Sequence, residues 1–384
     1  MVEWRRGLHR VAETGFELHR TQRFLIDVLD KMEIPHQVIV DTGLVAMING
    51  GEEGPTISIR ADMDGLMIAE KTGLDYASEN DGIMHACGHD AHMAIALGVA
   101  EVLNNIRHHL KGRLKILFQP AEEFGGGAQK MLEEGCLQHP DVDALLTVHV
   151  SRLSDEIGFG QIGITYGPIM AKLTGYEVSV TGESAHVSRP HEGRDALRAA
   201  AEMVSKVMRL PQEMDLVKGA TLSVTAFESD GAFNIIRDKA IFHGDVRTLD
   251  PNDEKLIFQS IGTIIRDVDE KIGTVSELSI IGEYPATVND EELTRKFVQS
   301  AKKVVGEMNI IFLEKPAFGS DDAAILMREV PGTYFLLGMR PVDDVQSFPH
   351  HHPCFDVDED IMIVGAEVMA KAVYDLLTSD PKVL

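Results

Sequence analysis

Strand-like apolar segments alternate with helix-like segments through the first part of the chain, and a further strand-like segment follows near its end. A strand–helix–strand order is typical of parallel strands joined by helical crossovers, so this alternation predicts an α/β fold with a mostly parallel sheet. The strand-like segments are 55–64, 112–123, 141–150 and 331–338, and the helix-like segments are 7–33, 90–106 and 128–135.

The middle of the chain has a different pattern. Residues 175–186 alternate polar and apolar side chains, as in a strand with one exposed face. Helix-like, strand-like, strand-like and helix-like segments follow, and this β-α-β-β-α order is typical of a small two-layer α+β domain. We expect that domain to be inserted at 173–283, while 1–172 and 284–384 form a larger domain, because 384 residues exceed the usual size of one core.

The composition limits the class of function. A formal net charge of −25 repels nucleic acid and anionic lipid, so neither is an expected partner, and an anionic substrate would need a local arginine. The three cysteines have scattered spacings that do not suggest a disulfide framework, which indicates a reducing compartment. The N-terminal segment lacks the apolar stretch of a signal peptide, and no apolar run reaches the roughly 18–20 residues of a membrane span. We therefore expect a cytoplasmic protein.

Residue types that bind metal ions or transfer protons lie at the carboxyl ends of these strand-like segments, after or at the end of the apolar strands 57–60, 113–118 and 143–148. Sites in open α/β sheets form where the carboxyl ends of the strands meet at one edge. A further cluster lies just before the helix at 90–106, within the segment 82–94, GIMHACGHDAHMA. We predict that these side chains converge on one site. They are Asp62, Cys87, His89, Glu122, Glu123 and His149.

A thiolate, imidazoles and carboxylates together suit zinc or a neighbouring transition metal. Successive residues near a strand end point in different directions, so one member of the pair Glu122–Glu123 can hold a metal while the other acts as a general base. Two other interpretations stay open at this point. Cys87 could be a nucleophile with His89 or His149 as its base, or the chain could bind a metal or ligand without catalysis.

Taken in order, these segments resemble the signatures of the M20 family of metallopeptidases, above all its aminoacylase-type amidohydrolases. The resemblance covers nearly the whole chain and rests on RADMDGL, MHACGHD, QPAEE and HHPCFDVDE, with GESAH and GDVRT in the middle. It implies a zinc-peptidase-like catalytic domain with an inserted lid domain that forms a homodimer. It also implies two divalent ions (Zn, Mn, Co or Ni) and hydrolysis of N-acyl amino acids or similar small conjugates. A dipeptidase or an N-carbamoyl amino acid hydrolase is the nearest alternative.

The resemblance further implies a role for individual residues. Glu122 would be the general acid and base that serves the metal-activated water, and Asp62 would orient a metal ligand. His186, in the inserted domain, would help to hold the oxyanion, while Asn234 and Arg247 would contact the substrate. The implied metal ligands are Cys87, which would bridge the two ions, and His89, Glu123, His149 and His351.

The choice of His351 among three successive histidines rests on its spacing to Pro353. The two histidines that flank the cysteine motif, His85 and His92, are expected to have structural roles, because the metal site needs no further ligands. The sequence departs from the family pattern at Asp322-Ala323, where an acidic residue followed by phenylalanine is more common.

Overall fold

The computed structural model describes residues 1–123, 125–152, 154–214, 219–339 and 348–378. The chain divides into two compact units. The first consists of Met1–Ile169, Thr287–Ala317 and Asp321–Leu384, and the second consists of Met170–Ala286 and Phe318–Ser320.

The described residues form sixteen strands and ten α-helices. The strands are β1 His36–Ile39, β2 Gly43–Asn49, β3 Glu52–Asp62, β4 Lys111–Gln119, β5 Ala144–Ser151, β6 Ile162–Ile164, β7 Gly167–Met170, β8 Lys172–Thr181, β9 Ala185–His186, β10 Ala220–Glu228, β11 Ile235–Ile236, β12 Lys239–Thr248, β13 Val275–Tyr284, β14 Thr287–Asn289, β15 Ile310–Phe312 and β16 Gly332–Gly338. The helices are α1 Val2–Arg10, α2 His19–Lys31, α3 His89–Asn105, α4 Gly127–Glu133, α5 Ala196–Val207, α6 Leu210–Glu213, α7 Pro251–Ile272, α8 Glu291–Val305, α9 Ala323–Met327 and α10 Ile361–Thr378.

The first unit is built on an eight-stranded sheet with the order β1-β2-β4-β3-β5-β16-β6-β15. Its central strands β4, β3, β5 and β16 are parallel to one another, and β2 and β6 flank them in the antiparallel direction. The central strands are apolar because both faces are covered, with α3 and α10 packed together on one side. The predicted α/β class with a mostly parallel central sheet is confirmed.

The second unit contains a four-stranded antiparallel sheet with the order β10-β12-β8-β13, and α5 and α7 pack on it. On β8 the side chains of Tyr176, Val178 and Val180 point into this core and alternate with partly exposed residues, as the sequence pattern predicts. The edge strand β13 is not part of the predicted β-α-β-β-α order. Its side chains are exposed or half-buried throughout, so its sequence carries little of the period-2 signal of a half-buried strand.

The single helix predicted at 7–33 is wrong, because α1 and α2 are separate helices. Gly15 lies between them with a φ of 61°, a left-handed conformation that ends helical geometry. The carboxylate of Glu13 then accepts hydrogen bonds from the backbone N–H groups of Arg20 and Thr21, in the first turn of α2. This side chain therefore supplies the N-terminal cap that starts the second helix.

Helix α1 is attached to α3 through buried ionic contacts. His9 places Nδ1 2.8 Å from Asp90 Oδ2 and Nε2 3.3 Å from Glu70 Oε1, so both ring nitrogens meet carboxylates. The buried Arg5 donates from Nε to the same Asp90 oxygen at 2.9 Å. Burial alone would lower the pKa of His9, but the hydrogen bonds to Asp90 and Glu70 outweigh it and raise this pKa to about 9.

This contact makes the stability of the protein depend on pH. Because the pKa of His9 is above its ordinary value of 6.5, the folded state keeps a proton that the unfolded state releases. The stabilisation is complete below pH 6.5 and is lost as the pH rises towards about 9. We expect the free energy of unfolding to fall by as much as about 3 kcal/mol over this range. Urea unfolding of the wild type and of His9→Gln at successive pH values would measure it, and equal slopes for both proteins would contradict the assignment.

Among the described residues, none of the helices combines the length and the apolar character that crossing a membrane requires.

Candidate metal centre

The candidate metal-binding and proton-transfer residues of the first unit lie where its central parallel strands end. Asp62 is the last residue of β3, and Glu122 and Glu123 follow the end of β4 by three and four residues. His149 lies near the end of β5. Since β4, β3 and β5 are neighbours and run in the same direction, their carboxyl ends meet at one edge of the sheet.

Gly88 brings the cysteine motif to the same edge. It precedes α3 with a φ of 92°, and a Cβ atom at this position would lie 2.6 Å from Val150 Cγ2. Only glycine allows both this backbone conformation and this close approach to β5. The turn places Cys87 before it and His89 after it, within one group of donor atoms.

Two groups of donor atoms share the thiol of Cys87. One contains Cys87, His89 and His149, the other contains Cys87, Glu123 and His351, and the ligand atoms of each group lie within 4.8 Å of one another. Cys87 Sγ is 3.5 Å from His149 Nε2, and His351 Nε2 is 3.3 Å from Glu123 Oε1. The structure thus brings together all five residues that the sequence predicts as ligands.

The donor atoms of these groups fit metal ions. Nδ1 of His89 lies 2.7 Å from the backbone oxygen of Asp64, and Nδ1 of His149 lies 2.7 Å from that of Val150. In both rings Nδ1 therefore donates a hydrogen bond to a carbonyl oxygen, and Nε2 is the nitrogen through which a metal could be held. His89 Nε2 is buried, lies 3.9 Å from Glu123 Oε1, and has no hydrogen-bond partner among the described residues.

The neighbouring histidines use their nitrogens differently. His92 pairs Nδ1 with Asp62 Oδ1 at 2.6 Å and accepts the N–H of Val150 at Nε2 at 2.9 Å, so neither nitrogen is available to a metal. His350 accepts a backbone N–H at Nε2, and His352 accepts one at Nδ1. In the part of the chain that is described, His351 is the member of this triplet that faces Glu123.

His85 lies outside both donor groups. Burial lowers the pKa of His85 to about 3, so the ring is neutral. Neither of its nitrogens has a partner within the described ranges, and nothing in the structure explains this.

Asp62 is hydrogen-bonded to His92 and not to any of the five predicted metal ligands. Its carboxylate accepts from His92 and, at 2.7 Å, from Arg60 Nη1, whereas it lies 3.8 Å from His89 Nε2. The group that accepts the Nδ1–H of His89 is the backbone oxygen of Asp64. The predicted role of Asp62 in orienting a ligand stays a prediction, because His92, the histidine to which it is hydrogen-bonded, belongs to neither donor group that contains Cys87.

Asp64 is not among the residues that the sequence pattern predicts, yet it contacts three members of the site. Its Oδ1 accepts the N–H of Glu122 at 3.0 Å, and its Oδ2 accepts the N–H of Glu123 at 3.1 Å. Its backbone oxygen holds His89. The side chain is completely buried. Asp64 is the second acidic residue of RADMDGL, and this motif is the signal from which a role in the site could have been predicted. Its hydrogen bond to Glu122, 58 positions away, depends on the tertiary fold.

The contacts of Asp64 lead to a testable expectation. In Asp64→Asn, one carboxylate oxygen becomes an NH2 group, so one of the two backbone N–H groups loses its acceptor. We expect metal affinity to fall by about 10- to 100-fold, because partners that orient ligands have effects of this size. Competition with a chromogenic chelator would measure it. Asp81→Asn, at an exposed position before the cysteine motif, is the control, and equal affinities for the two variants would contradict the role of Asp64.

The site has an excess of buried acidic groups. Burial raises the pKa of Glu122 well above its ordinary value, and Asp321 and Glu123 raise it further. Burial alone would lower the pKa of His89, but Asp62 and Asp64 outweigh it and raise this pKa to about 10. These shifts report a negative potential at the centre, which divalent cations would balance.

Three predicted site residues lie in the second unit. β9 pairs with β11 so that His186 lies opposite Ile235, and the backbone oxygen of Asn234 accepts the N–H of Val187. Arg247, on β12, donates from Nη1 to the backbone oxygen of Phe318 at 2.9 Å. The catalytic and substrate-binding roles of His186, Asn234 and Arg247 stay predictions.

Comparison with known proteins places these features in a family. A model of peptidase family M20/M25/M40 matches residues 58–375. A Bacillus subtilis protein described as an amidohydrolase, YhaA, is 34% identical over 375 residues, which are 97% of this chain and 93% of that protein. The N-acetyl-L-cysteine deacetylase of the same organism is 32% identical over 382 residues, which are 99% of this chain and 89% of that protein.

A solved structure extends the match to the fold. The Bacillus subtilis protein YxeP, described as a dinuclear metal-binding peptidase from the M20 family, has a TM-score of 0.80 and 29% sequence identity to this chain. The match covers 99% of this chain and 98% of that one.

Proposed function

The chain belongs to peptidase family M20/M25/M40, and we propose that it is a metal-dependent amidohydrolase acting on N-acyl amino acids or similar small conjugates. The observation that carries the proposal is the sharing of Cys87 by two donor groups, with Glu122 beside them. The likeness to a deacetylase of an N-acetylated amino acid supports the substrate class. A dipeptidase or an N-carbamoyl amino acid hydrolase would use the same groups.

Two divalent ions fit the donor atoms. Cys87, His89 and His149 would hold one ion, and Cys87, Glu123 and His351 the other, with Cys87 as the bridge. When bound, the ions would polarise the amide carbonyl and make a water molecule acidic enough to attack at neutral pH. Zn, Mn, Co and Ni all suit these ligands.

Glu122 is the proposed general base and acid. Its carboxylate lies in a group with His89 and Glu123 but belongs to neither group that contains Cys87. It would accept a proton from the attacking water and then donate it to the leaving nitrogen. Burial and the neighbouring carboxylates raise its pKa, and a raised pKa suits a carboxyl group that must both accept and release a proton near neutral pH.

His186 and Arg247, in the inserted unit, have proposed roles in the reaction. Nδ1 of His186 accepts the N–H of Ser188 at 3.2 Å, so Nε2 carries the proton and is a donor suited to an oxyanion. Arg247 would receive the substrate carboxylate, although Asp245 Oδ2 already accepts from its Nε at 3.1 Å. A homodimer formed through this unit and a cytoplasmic location remain part of the proposal.

A cysteine amidase is the competing chemistry, since Cys87 and His149 are in contact. A nucleophilic thiol needs a lowered pKa. Burial raises the pKa of Cys87 well above its ordinary value, and Glu123 and Glu122 raise it further. Burial also lowers the pKa of His149 to about 3. A thiolate–imidazolium pair is therefore disfavoured here, whereas a bound divalent cation would itself supply the positive charge that stabilises the thiolate of Cys87.

The deciding experiment is amine release from a panel of N-acetyl and N-benzoyl amino acids, using metal-stripped protein with and without Mn, Zn, Co or Ni. Metal-dependent release from any member would support the proposal. Release that persists without metal and is lost on thiol alkylation would support the cysteine chemistry instead. If no amine is released under any condition, the substrate class is wrong, and dipeptides and N-carbamoyl amino acids are the next panel.

A further inference from the structure

The segment that carries Glu122 and Glu123 is a short loop with closely spaced ends. It leaves the sheet at Gln119, the last residue of β4, and enters α4 at Gly127. A Cβ atom on Gly127 would lie 1.7 Å from the backbone oxygen of Pro120, so the two ends approach each other as closely as backbone allows.

One buried carboxylate binds both ends of this loop. Asp322 Oδ1 accepts from Gln119 Nε2 at 2.6 Å, on the β4 side. Asp322 Oδ2 accepts the backbone N–H of Ala128 at 2.9 Å, in the first turn of α4. The side chain of Asp322 is completely buried, so no water competes for these contacts.

Arg60 connects this carboxylate to the sheet. Its Nη2 donates to Asp322 Oδ1 at 3.0 Å, and its Nε donates to Gln119 Oε1 at 2.9 Å. Its Nη1 donates to Asp62 Oδ2 at 2.7 Å. Arg60 is itself only 2% exposed and lies on the central strand β3, so these hydrogen bonds join the loop to the centre of the sheet.

We propose that Asp322 is a positioning residue that closes the loop 119–128 at its base and thereby sets the place of Glu122 and Glu123. Asp64 holds the same loop at its tip through the two glutamate N–H groups. The two aspartates come from separate segments and hold different parts of one loop. The expected effect of Asp322 on kcat rests on the proposed function, whereas its expected effect on the order of the loop does not.

The adjacent Asp321 provides a matched control. It is also buried and also pairs with Arg60, with 3.0 Å between Arg60 Nη2 and Asp321 Oδ1. Its other contacts are the hydroxyl of Tyr334 at 2.9 Å and the N–H of Ala323 at 2.8 Å. Asp321→Asn therefore changes the same charge on the same arginine without removing a hydrogen bond to either end of the loop. Because the Asp321 carboxylate lies within 4.8 Å of that of Glu122 and raises its pKa, this variant is the control for hydrogen exchange and not for kcat.

The test compares Asp322→Asn and Asp321→Asn with the wild type in the metal-loaded protein. An asparagine at 322 must turn its NH2 group towards the N–H of Ala128 or towards Gln119 and Arg60, so at least one donor loses its acceptor. We expect faster hydrogen exchange in peptides spanning 119–130 for Asp322→Asn only. We also expect its kcat to fall by about 10- to 100-fold with a smaller change in KM.

Wild-type exchange in Asp322→Asn would overturn the proposal, as would equal increases in both variants, which would indicate a general effect of buried charge. If Asp322→Asn does not fold, Gln119→Met removes the contact on the β4 side and must show the same local increase. Failure of the wild type to hydrolyse any substrate would refute the proposed function only, because the exchange measurement needs no turnover.

Discussion

Replacing Glu122 with Gln should abolish most turnover while leaving the metal content unchanged. The amide keeps the size of the side chain but cannot accept a proton, and Glu122 belongs to neither donor group that contains Cys87. Proton transfer by a positioned side chain contributes about 10²- to 10⁴-fold, so we expect kcat to fall by that amount. Steady-state hydrolysis and metal analysis of the dialysed variant would measure the two quantities separately.

The matched control is Glu133→Gln, an exposed glutamate on α4 just beyond the same loop. It makes the same change of charge near the site and should retain full activity. If Glu122→Gln also retained full activity, Glu122 would not be the base. If it lost its metal instead, Glu122 would be a ligand, and the division of roles between Glu122 and Glu123 would have to be reversed.

Replacing Cys87 with Ser should remove the atom that the two donor groups share. A serine hydroxyl resists deprotonation far more than a thiol, so it bridges two cations poorly. We expect the metal content after dialysis to fall from two ions per chain to one or fewer, with hydrolysis reduced in parallel. Elemental analysis of the variant over a range of added Mn or Zn would establish the stoichiometry.

Cys354→Ser is the control for this change, because its thiol contacts the backbone oxygen of Lys71 and belongs to neither donor group. It should keep both ions and full activity. A Cys87→Ser protein that bound two ions as tightly as Cys354→Ser would rule out the bridging role. A variant that kept its metal but lost all activity would revive the nucleophilic interpretation of Cys87.

The sequence was most informative where local pattern and position in the fold coincide. His149 and the pair Glu122–Glu123 could be placed at one edge because parallel strands end together there. The chemistry of Cys87 and His89 followed from residue type and from the start of a helix. The assignment of separate roles to these residues came from family resemblance, because periodicity alone does not distinguish a ligand from its neighbour.

Contacts between distant segments were beyond what the sequence pattern predicts. Asp322 and Ala128 are 194 positions apart, and their hydrogen bond exists only because α9 packs against α4. The break between α1 and α2 was missed for a different reason. An apolar repeat continues across it, whereas the cap by Glu13 and the left-handed Gly15 are single-residue features.

The carboxylate of Asp64 couples metal preference to proton transfer, two properties that an engineer would want to vary separately. Because it holds the adjacent N–H groups of Glu122 and Glu123, a change that shifts one glutamate also shifts the other. A substitution that changes the metal preference by moving the ligand Glu123 would therefore also change proton transfer by Glu122. His351 offers an independent route, since it reaches the site from another segment, where its N–H is bound to the oxygen of Ala86. Substitutions at His351 should thus change the metal preference with little effect on proton transfer by Glu122.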